Sequence, residues 1–255
     1  SVLGRWSIHD FHFPALAQDV VILCQGGGNF GDLYRHQAFR EKVVTHYPRN
    51  RIVCLPQTIY YKDPRELAKS RAVLNAHRDL HLLLRDGESQ AIAEANFAAA
   101  NSYLCPDMAV FLHPLGRHVQ LPDTSVSQRS FSLIRSDIEA TDAAVTDHDS
   151  DWTGDWQQLC EINRYPIILR NLVSLTTGRW SHNAIAKNWR DLAQQWLERS
   201  ATILSNAESI TSSRLHGHIL ATLLGIQNQL IDNSYGKNFW YYDTWNQGLS
   251  IARKC

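Results

Sequence analysis

Val20–Cys24 (VVILC) is a run of five apolar residues, followed by Gln25 and three consecutive glycines, and it constrains the fold most. A run so short and so uniformly apolar suits a strand covered on both faces. The pattern returns at Arg51–Leu55 (RIVCL) and Leu80–Leu84 (LHLLL), and shorter runs follow at Ser102–Cys105 and Met108–Leu112. Helical stretches separate the runs. Leu33–His46 follows the glycines, Pro64–His77 opens with a proline suited to the first helical position, and Glu88–Ala99 is rich in alanine. Strand–helix–strand repetition predicts a parallel α/β sheet over about the first 115 residues.

The chain has 255 residues, 44% of them hydrophobic, enough for one large α/β domain or two small lobes. A second lobe is expected because the pattern restarts at Phe131–Ile134 after an interruption. Asp142–Asp155 is acidic and polar and reads as a loop or linker. Ile185–Arg199 predicts an amphipathic helix whose inner face carries Ile185, Trp189, Leu192 and Trp196. Ala201–Ser205 and Glu208–Thr211 read as short strands or connectors, Ser213–Leu224 as a helix and Gln229–Asp232 as a last strand. The expected domains are therefore 1–125 and 126–255.

Lys plus Arg and Asp plus Glu both number 25, so nothing in the charge balance points to nucleic acid. No apolar stretch is long enough to span a bilayer and no signal peptide is visible. The cysteines (Cys24, Cys54, Cys105, Cys160 and Cys255) are scattered and unpaired in spacing, which predicts a reducing compartment, no disulfide framework and no zinc site.

Two motifs carry chemistry. Gly26, Gly28 and Gly31 satisfy the spacing of a dinucleotide-binding turn, but the next strand ends in Leu55-Pro56-Gln57 rather than in the acid that holds a ribose. A nicotinamide cofactor is therefore not expected. A glycine turn opening a helix still lets a ligand approach the backbone and favours an anion, and Asn29 and Asp32 can hydrogen-bond a polyol. A tight turn with no ligand fits the same residues. The second motif is Ser212-Ser213-Arg214-Leu215-His216-Gly217-His218. A serine can cap a helix here, Leu215, Ile219 and Leu223 point to the core, and Arg214 and His216 are held near the helix N-terminus. Amide N–H groups, helix dipole and guanidinium together suit a phosphate or carboxylate, and an anion beside His216 favours its protonated form.

Taken in order, Val21–Asp32, Leu55–Thr58 (LPQT), Leu84–Ser89 (LRDGES), Pro106–Val110 (PDMAV), Leu133–Asp137 (LIRSD) and Ser213–Gly217 (SRLHG) resemble the polysaccharide pyruvyl transferases over most of the chain, and most of all the bacterial exopolysaccharide branch. The resemblance implies two Rossmann-like lobes similar to the glycosyltransferase B fold, with donor and acceptor in the cleft between them. It implies transfer of pyruvate from phosphoenolpyruvate to a sugar of an exopolysaccharide or its lipid-linked precursor, giving a ketal and phosphate. Arg135 and Arg214, with Ser213 and Leu215, are the expected donor-binding residues. His216 is the expected acid and base, with Asp32 as auxiliary base. Gly28, Asn29 and Asp107 are expected on the acceptor side.

The resemblance implies phosphoenolpyruvate as co-substrate, and neither a cofactor nor a metal is expected. The residue chemistry agrees: a carboxylate and a phosphate ask for two arginine forks, and protonating the methylene asks for an imidazolium. The expected setting is cytoplasmic, with peripheral contact at the inner face of the cell membrane. Relatives often carry an extra βα unit ahead of the glycine cluster; 19 residues are too few for it, so the N-terminal lobe is expected to be reduced or incomplete.

Other readings use the same residues. A nucleotide-sugar glycosyltransferase would place a diphosphate on the SRLHG helix, with Glu208 or Asp232 as the nearby acids. A saccharide-binding module without turnover would use Asn238–Trp245 (NFWYYDTW), five aromatics in eight residues, for stacking. That stretch also reads as a closing helix packed across both lobes or as a membrane contact. Arg85 and Asp86 read as an ion pair at a strand end. Asp107 is equally consistent with a buried aspartate bonded to backbone amides.

Overall fold

The computed structural model describes residues 2–5, 12–121, 129–141, 150–160 and 182–255, with side chains from 187 onward in the last segment. It is a mixed α/β protein with parallel sheets. The chain forms two compact units, one from Phe11–Phe111 together with Asp232–Lys254, the other chiefly Leu112–Ile231. They are called here the glycine unit and the arginine unit.

In the glycine unit the strands are β1 (Ile22–Cys24), β2 (Gly27–Gly31), β3 (Ile52–Tyr60), β4 (Leu80–Leu84) and β5 (Asn101–Leu104). The sheet runs β1-β3-β4-β5, all parallel, and β2 pairs with the end of β3. Helices α1 (His36–His46), α2 (Pro64–Asn75) and α3 (Gly87–Asn96) lie between the strands in sequence. Asp63 and Asp86 cap α2 and α3 through the amides of Arg65 and Ser89. Leu80, Leu82 and Leu84 are fully buried with Val43, Leu74, Ala93 and Phe97, while the alternate residues of β4 are half-buried. The strands therefore alternate, where full coverage of both faces was expected; Leu23 of β1 is exposed. Met108–Leu112 forms a 3₁₀ turn instead of the expected strand, started by Asp107 accepting from the Ala109 amide at 3.0 Å.

The glycine cluster also departs from expectation. It is a strand, β2, and α1 opens only at His36. Gly31 (φ +124°) lies so close to β3 that an added Cβ would sit 1.6 Å from the Tyr60 carbonyl oxygen, and at Gly26 one would sit 2.3 Å from that of Pro56. These glycines therefore serve close strand approach, not the start of a helix.

Helix α7 (Lys237–Trp245) and strand β10 (Ala252–Lys254) belong to the glycine unit as well. The expected division, with 126–255 as one domain, is therefore corrected: the chain returns after Ile231. Trp245 Nε1 donates to the Arg85 carbonyl at 2.8 Å, and the Gly87 amide donates to the Thr244 hydroxyl at 3.0 Å. Tyr241 is buried, so the aromatic stretch serves packing at least in part.

The arginine unit carries β6 (Arg129–Leu133), β7 (Trp152–Gly154), β8 (Ala207–Ser212) and β9 (Gln227–Leu230), parallel in the order β9-β8-β6-β7. Its helices are α4 (Trp156–Cys160), α5 (His182–Leu204) and α6 (Leu215–Leu223). Helix α5 absorbs most of Ala201–Ser205, which was expected as a strand or connector. Its buried face runs through Leu192, Ala201 and Leu204, packing with Leu133, Ile210 and Ala221 beneath its C-terminal half. Trp189 and Trp196, expected inside, are 56% and 38% exposed. The Ile185 side chain and residues 142–149 of the acidic stretch lie outside the described residues.

Candidate functional site

Strands β6 and β8 run side by side with Leu133 opposite Ser212. Arg135 and Arg214 therefore leave neighbouring parallel strands at their carboxyl ends, where open α/β sheets take ligands. Ser213 ties the two ends together. Its amide donates to the Leu133 carbonyl at 3.0 Å, and its hydroxyl accepts from the Arg135 amide at 2.8 Å. Ser212 Oγ accepts from the Arg214 amide at 3.1 Å. The serines thus shape the strand ends, and the residue preceding α6 is Arg214 itself, in extended conformation. Leu215 is buried, as expected of a core anchor. His216, one position into α6, is exposed beside the positive end of the helix.

The arginines are held more firmly than two open forks. Arg214 Nε donates to Asp155 Oδ1 at 2.8 Å, Nη2 donates to Asp155 Oδ2, and Nη1 donates to Asp137 Oδ2 at 2.7 Å. Arg135 Nε donates to Asp137 Oδ1 at 2.9 Å and Nη1 pairs with Glu139 at 2.7 Å. Two guanidinium groups thus share Asp137 and face three carboxylates. Arg214 keeps N–H groups beyond these bonds for a ligand. Burial opposes ionisation of Asp137 and Asp155. The arginine hydrogen bonds and charges, with amides from Glu139, Trp156 and Ser136, outweigh it and hold both carboxyls below the usual range. Asp155 is itself fixed by the Trp156 amide at 2.7 Å and the Ser136 amide at 3.2 Å. Neither Asp137 nor Asp155 was singled out from sequence. Asp155 closes an acidic stretch that reads as solvated loop, and its partner lies 59 residues away.

The glycine unit holds a second polar cluster. A Cβ added at Gly28 would come within 3.1 Å of Lys237 Nζ, 3.3 Å of Arg85 Nη2 and 3.7 Å of the Tyr235 hydroxyl. Tyr235 stacks on Tyr60 with ring centroids 4.2 Å apart. Asn29 Oδ1 accepts from Arg40 Nη2 at 2.8 Å. Arg85 pairs with Asp107 at 2.7 Å, both buried, and its Nε donates to Thr58 at 2.9 Å. This corrects the expected Arg85–Asp86 pair: Asp86 caps α3 and accepts from the Thr58 hydroxyl at 2.6 Å.

Asp107 is buried and bonded to the Arg85 guanidinium and the Ala109 amide. Asp32 accepts from the amides of Lys62 and Asp63 at 2.6–3.0 Å, so both its oxygens fix a turn. Lys237 was missed because it enters from a segment some 200 residues downstream of the glycines.

Among the described residues no group of three or more His, Cys, Asp or Glu could hold a metal ion. No helix among them is long and apolar enough to cross a membrane.

Comparison with known proteins gives a consistent result. Residues 2–235 match the model of the polysaccharide pyruvyl transferase family. The chain is 37% identical over 99% of its length to a Bacillus subtilis protein named "Putative pyruvyl transferase EpsO", covering 78% of that protein. It is 29% identical over 89% of its length to pyruvyl transferase 1 of Schizosaccharomyces pombe, of which it spans 55%. A crystal structure of a functionally uncharacterised Klebsiella pneumoniae protein shares the fold, with a TM-score of 0.58 at 18% identity over 92% of this chain and 75% of that one.

Proposed function

Because the chain belongs to the polysaccharide pyruvyl transferase family, we propose that it moves pyruvate from phosphoenolpyruvate onto two hydroxyls of an exopolysaccharide sugar, free or lipid-linked. The observation that carries this reading is the pair Arg135 and Arg214, joined through Asp137, with His216 at the start of the same helix.

In the proposed reaction the donor's anionic groups lie against Arg214, Arg135 and the first amides of α6. His216, protonated, gives its proton to the donor's terminal methylene, which becomes a methyl group and leaves the central carbon electrophilic. A sugar hydroxyl adds there and its proton passes to His216. The bond to the phosphate oxygen breaks, inorganic phosphate leaves, and the second hydroxyl adds to close the ketal, releasing its proton. The donor is assigned to the arginine unit and the acceptor to the glycine unit, in the manner of the glycosyltransferase B architecture. The proposed setting is the cytoplasm or the inner face of the cell membrane.

Glycosyl transfer from a nucleotide sugar is not favoured. Glu208 is exposed, and Asp232 Oδ1 accepts from the amides of Asn233, Asn238 and Phe239, so neither stands out as a ribose ligand. The test is to incubate the protein with phosphoenolpyruvate and a panel of saccharides. Phosphate release with a matching ketal mass on the sugar is expected. Glycosyl transfer from a nucleotide sugar, with no such product, would overturn the reading.

A further inference from the structure

Two of the five cysteines meet in the fold. Cys24 is the last residue of β1, and Cys54 stands directly opposite it on β3 in a parallel pairing. Residues in register on neighbouring strands send their side chains to the same face of the sheet. Both pack into the core of the glycine unit, Cys54 fully buried and Cys24 half-buried. Neighbouring strands lie about 4.8 Å apart, within the Cα span that a disulfide bridges, so closing the bond asks only for a small approach of the two Cβ atoms. β1 is three residues long and pairs with β3 alone among the described strands, so it is free to make that approach.

The pair is chemically uneven. The hydrogen bond from Cys24, the charge of Arg40 and hydrogen bonds from Gln57 and Arg40 outweigh burial and hold the Cys54 thiol below the usual range. The bond to Cys54 and burial push the Cys24 thiol up. One sulfur that ionises readily thus faces one that keeps its proton, as in an attacking and a resolving cysteine. Arg40 links the pair to β2. It is 4% exposed, donates to Asn29 at 2.8 Å and Gln57 at 2.9 Å, and lies 4.5 Å from the centroid of the Phe30 ring.

We infer that Cys24 and Cys54 are a site of reversible oxidation, closed to a disulfide by a peroxide and reopened by a low-molecular-weight thiol. A peroxide suits the site because Cys54 has no exposed surface and the oxidant must be small. The Cys54 thiolate attacks one peroxide oxygen and the O–O bond breaks. The departing hydroxide takes up the proton that Cys54 gave up, leaving water and a sulfenic acid. The Cys24 sulfur then displaces the sulfenic hydroxyl, which leaves with the Cys24 proton as a second water. The two thiols lose two electrons and the peroxide gains them. The disulfide removes the thiolate that Arg40 faces and draws β1 towards β3, so the hold of Arg40 on Asn29 changes with it. The expected consequence, which rests on the acceptor role proposed for the glycine unit, is weaker acceptor binding with the donor site untouched.

The test is to treat the full chain with hydrogen peroxide, block remaining thiols with N-ethylmaleimide under denaturing conditions, and map the cysteines by mass spectrometry. A peptide pair joined through Cys24 and Cys54, released by dithiothreitol, is expected. In Cys24→Ala, Cys54 is expected to stop at the sulfenic acid and to be trapped by dimedone. In Cys54→Ala, Cys24 is expected to remain a thiol. The wild-type mapping needs neither variant nor substrate. Cys24 and Cys54 both remaining thiols while Cys105, Cys160 or Cys255 is oxidised, or a disulfide joining any other pair, would overturn the inference. Kinetics on the oxidised protein separates the two layers. The acceptor Km should rise about three- to tenfold, as for one weakened hydrogen bond, and return with dithiothreitol. A Cys24–Cys54 disulfide with an unmoved acceptor Km would support the redox site and speak against the acceptor role of Asn29 instead.

Discussion

The two units solve the same electrostatic problem in opposite ways. In the arginine unit two guanidinium groups face three carboxylates, so both are paired and oriented before any ligand arrives. In the glycine unit Arg85 pairs with the buried carboxylate of Asp107, and Arg40 donates to the side-chain amides of Asn29 and Gln57. The first arrangement orients forks at strand ends; the second ties β2 and β3 to buried arginines. A residue's position on a strand end decides which groups meet.

The comparison is broken most severely at His216. Replacement by Ala is expected to lower turnover about 10²–10⁴-fold with donor affinity little changed, as for loss of a positioned acid. Steady-state kinetics beside calorimetry checks this, and unchanged turnover would sink the mechanism. Arg85→Ala comes next. It strands Asp107 in the interior, and a loss of about 3–5 kcal/mol of stability is expected from denaturant unfolding.

Asp155→Asn sharpens the contrast. Asn keeps an oxygen for the Trp156 amide but gives up the charge that holds Arg214 side-on, so the donor Km should rise about tenfold and the unfolding midpoint at neutral pH should fall. The sign of the pH dependence follows. Asp137 and Asp155 have depressed folded values, so their stabilisation is fully present above the unfolded carboxylate value near about 4 and is lost as pH falls through the lower folded ones. Asp155→Asn should therefore flatten part of the acid limb of an unfolding curve. Trp245→Phe is the mildest change. It removes one indole hydrogen bond to Arg85 and should cost about 1 kcal/mol, measured by thermal unfolding.

What could be read from the sequence follows from how local each signal is. The runs at Ile52–Leu55, Leu80–Leu84 and Glu208–Thr211 became strands because short apolar or β-branched stretches report their own burial. The Ser-Arg-Leu-His stretch showed its strand-to-helix junction because Leu215 and Ile219 keep helical spacing into the core. The glycine cluster did not, since its conformation is set by contact with Pro56 and Tyr60 on a distant strand. Asp137 and Asp155 were hidden for the same reason. A carboxylate's partner is a tertiary fact, and acidic residues in a polar stretch look alike until the sheet places one of them beside an arginine. Trp189 and Trp196 misled in the other direction, because periodicity marks an apolar stripe without saying that it is covered.

The central claim is that the arginine unit binds the donor through forks already set by Asp137 and Asp155. Calorimetric titration with phosphoenolpyruvate tests it most directly, with UDP, GDP and NADH as controls. Saturable binding of phosphoenolpyruvate alone, abolished in Arg214→Ala and weakened but retained in Asp155→Asn, is the predicted result. Binding of a nucleoside diphosphate in its place, or phosphoenolpyruvate binding untouched by Arg214→Ala, would contradict it.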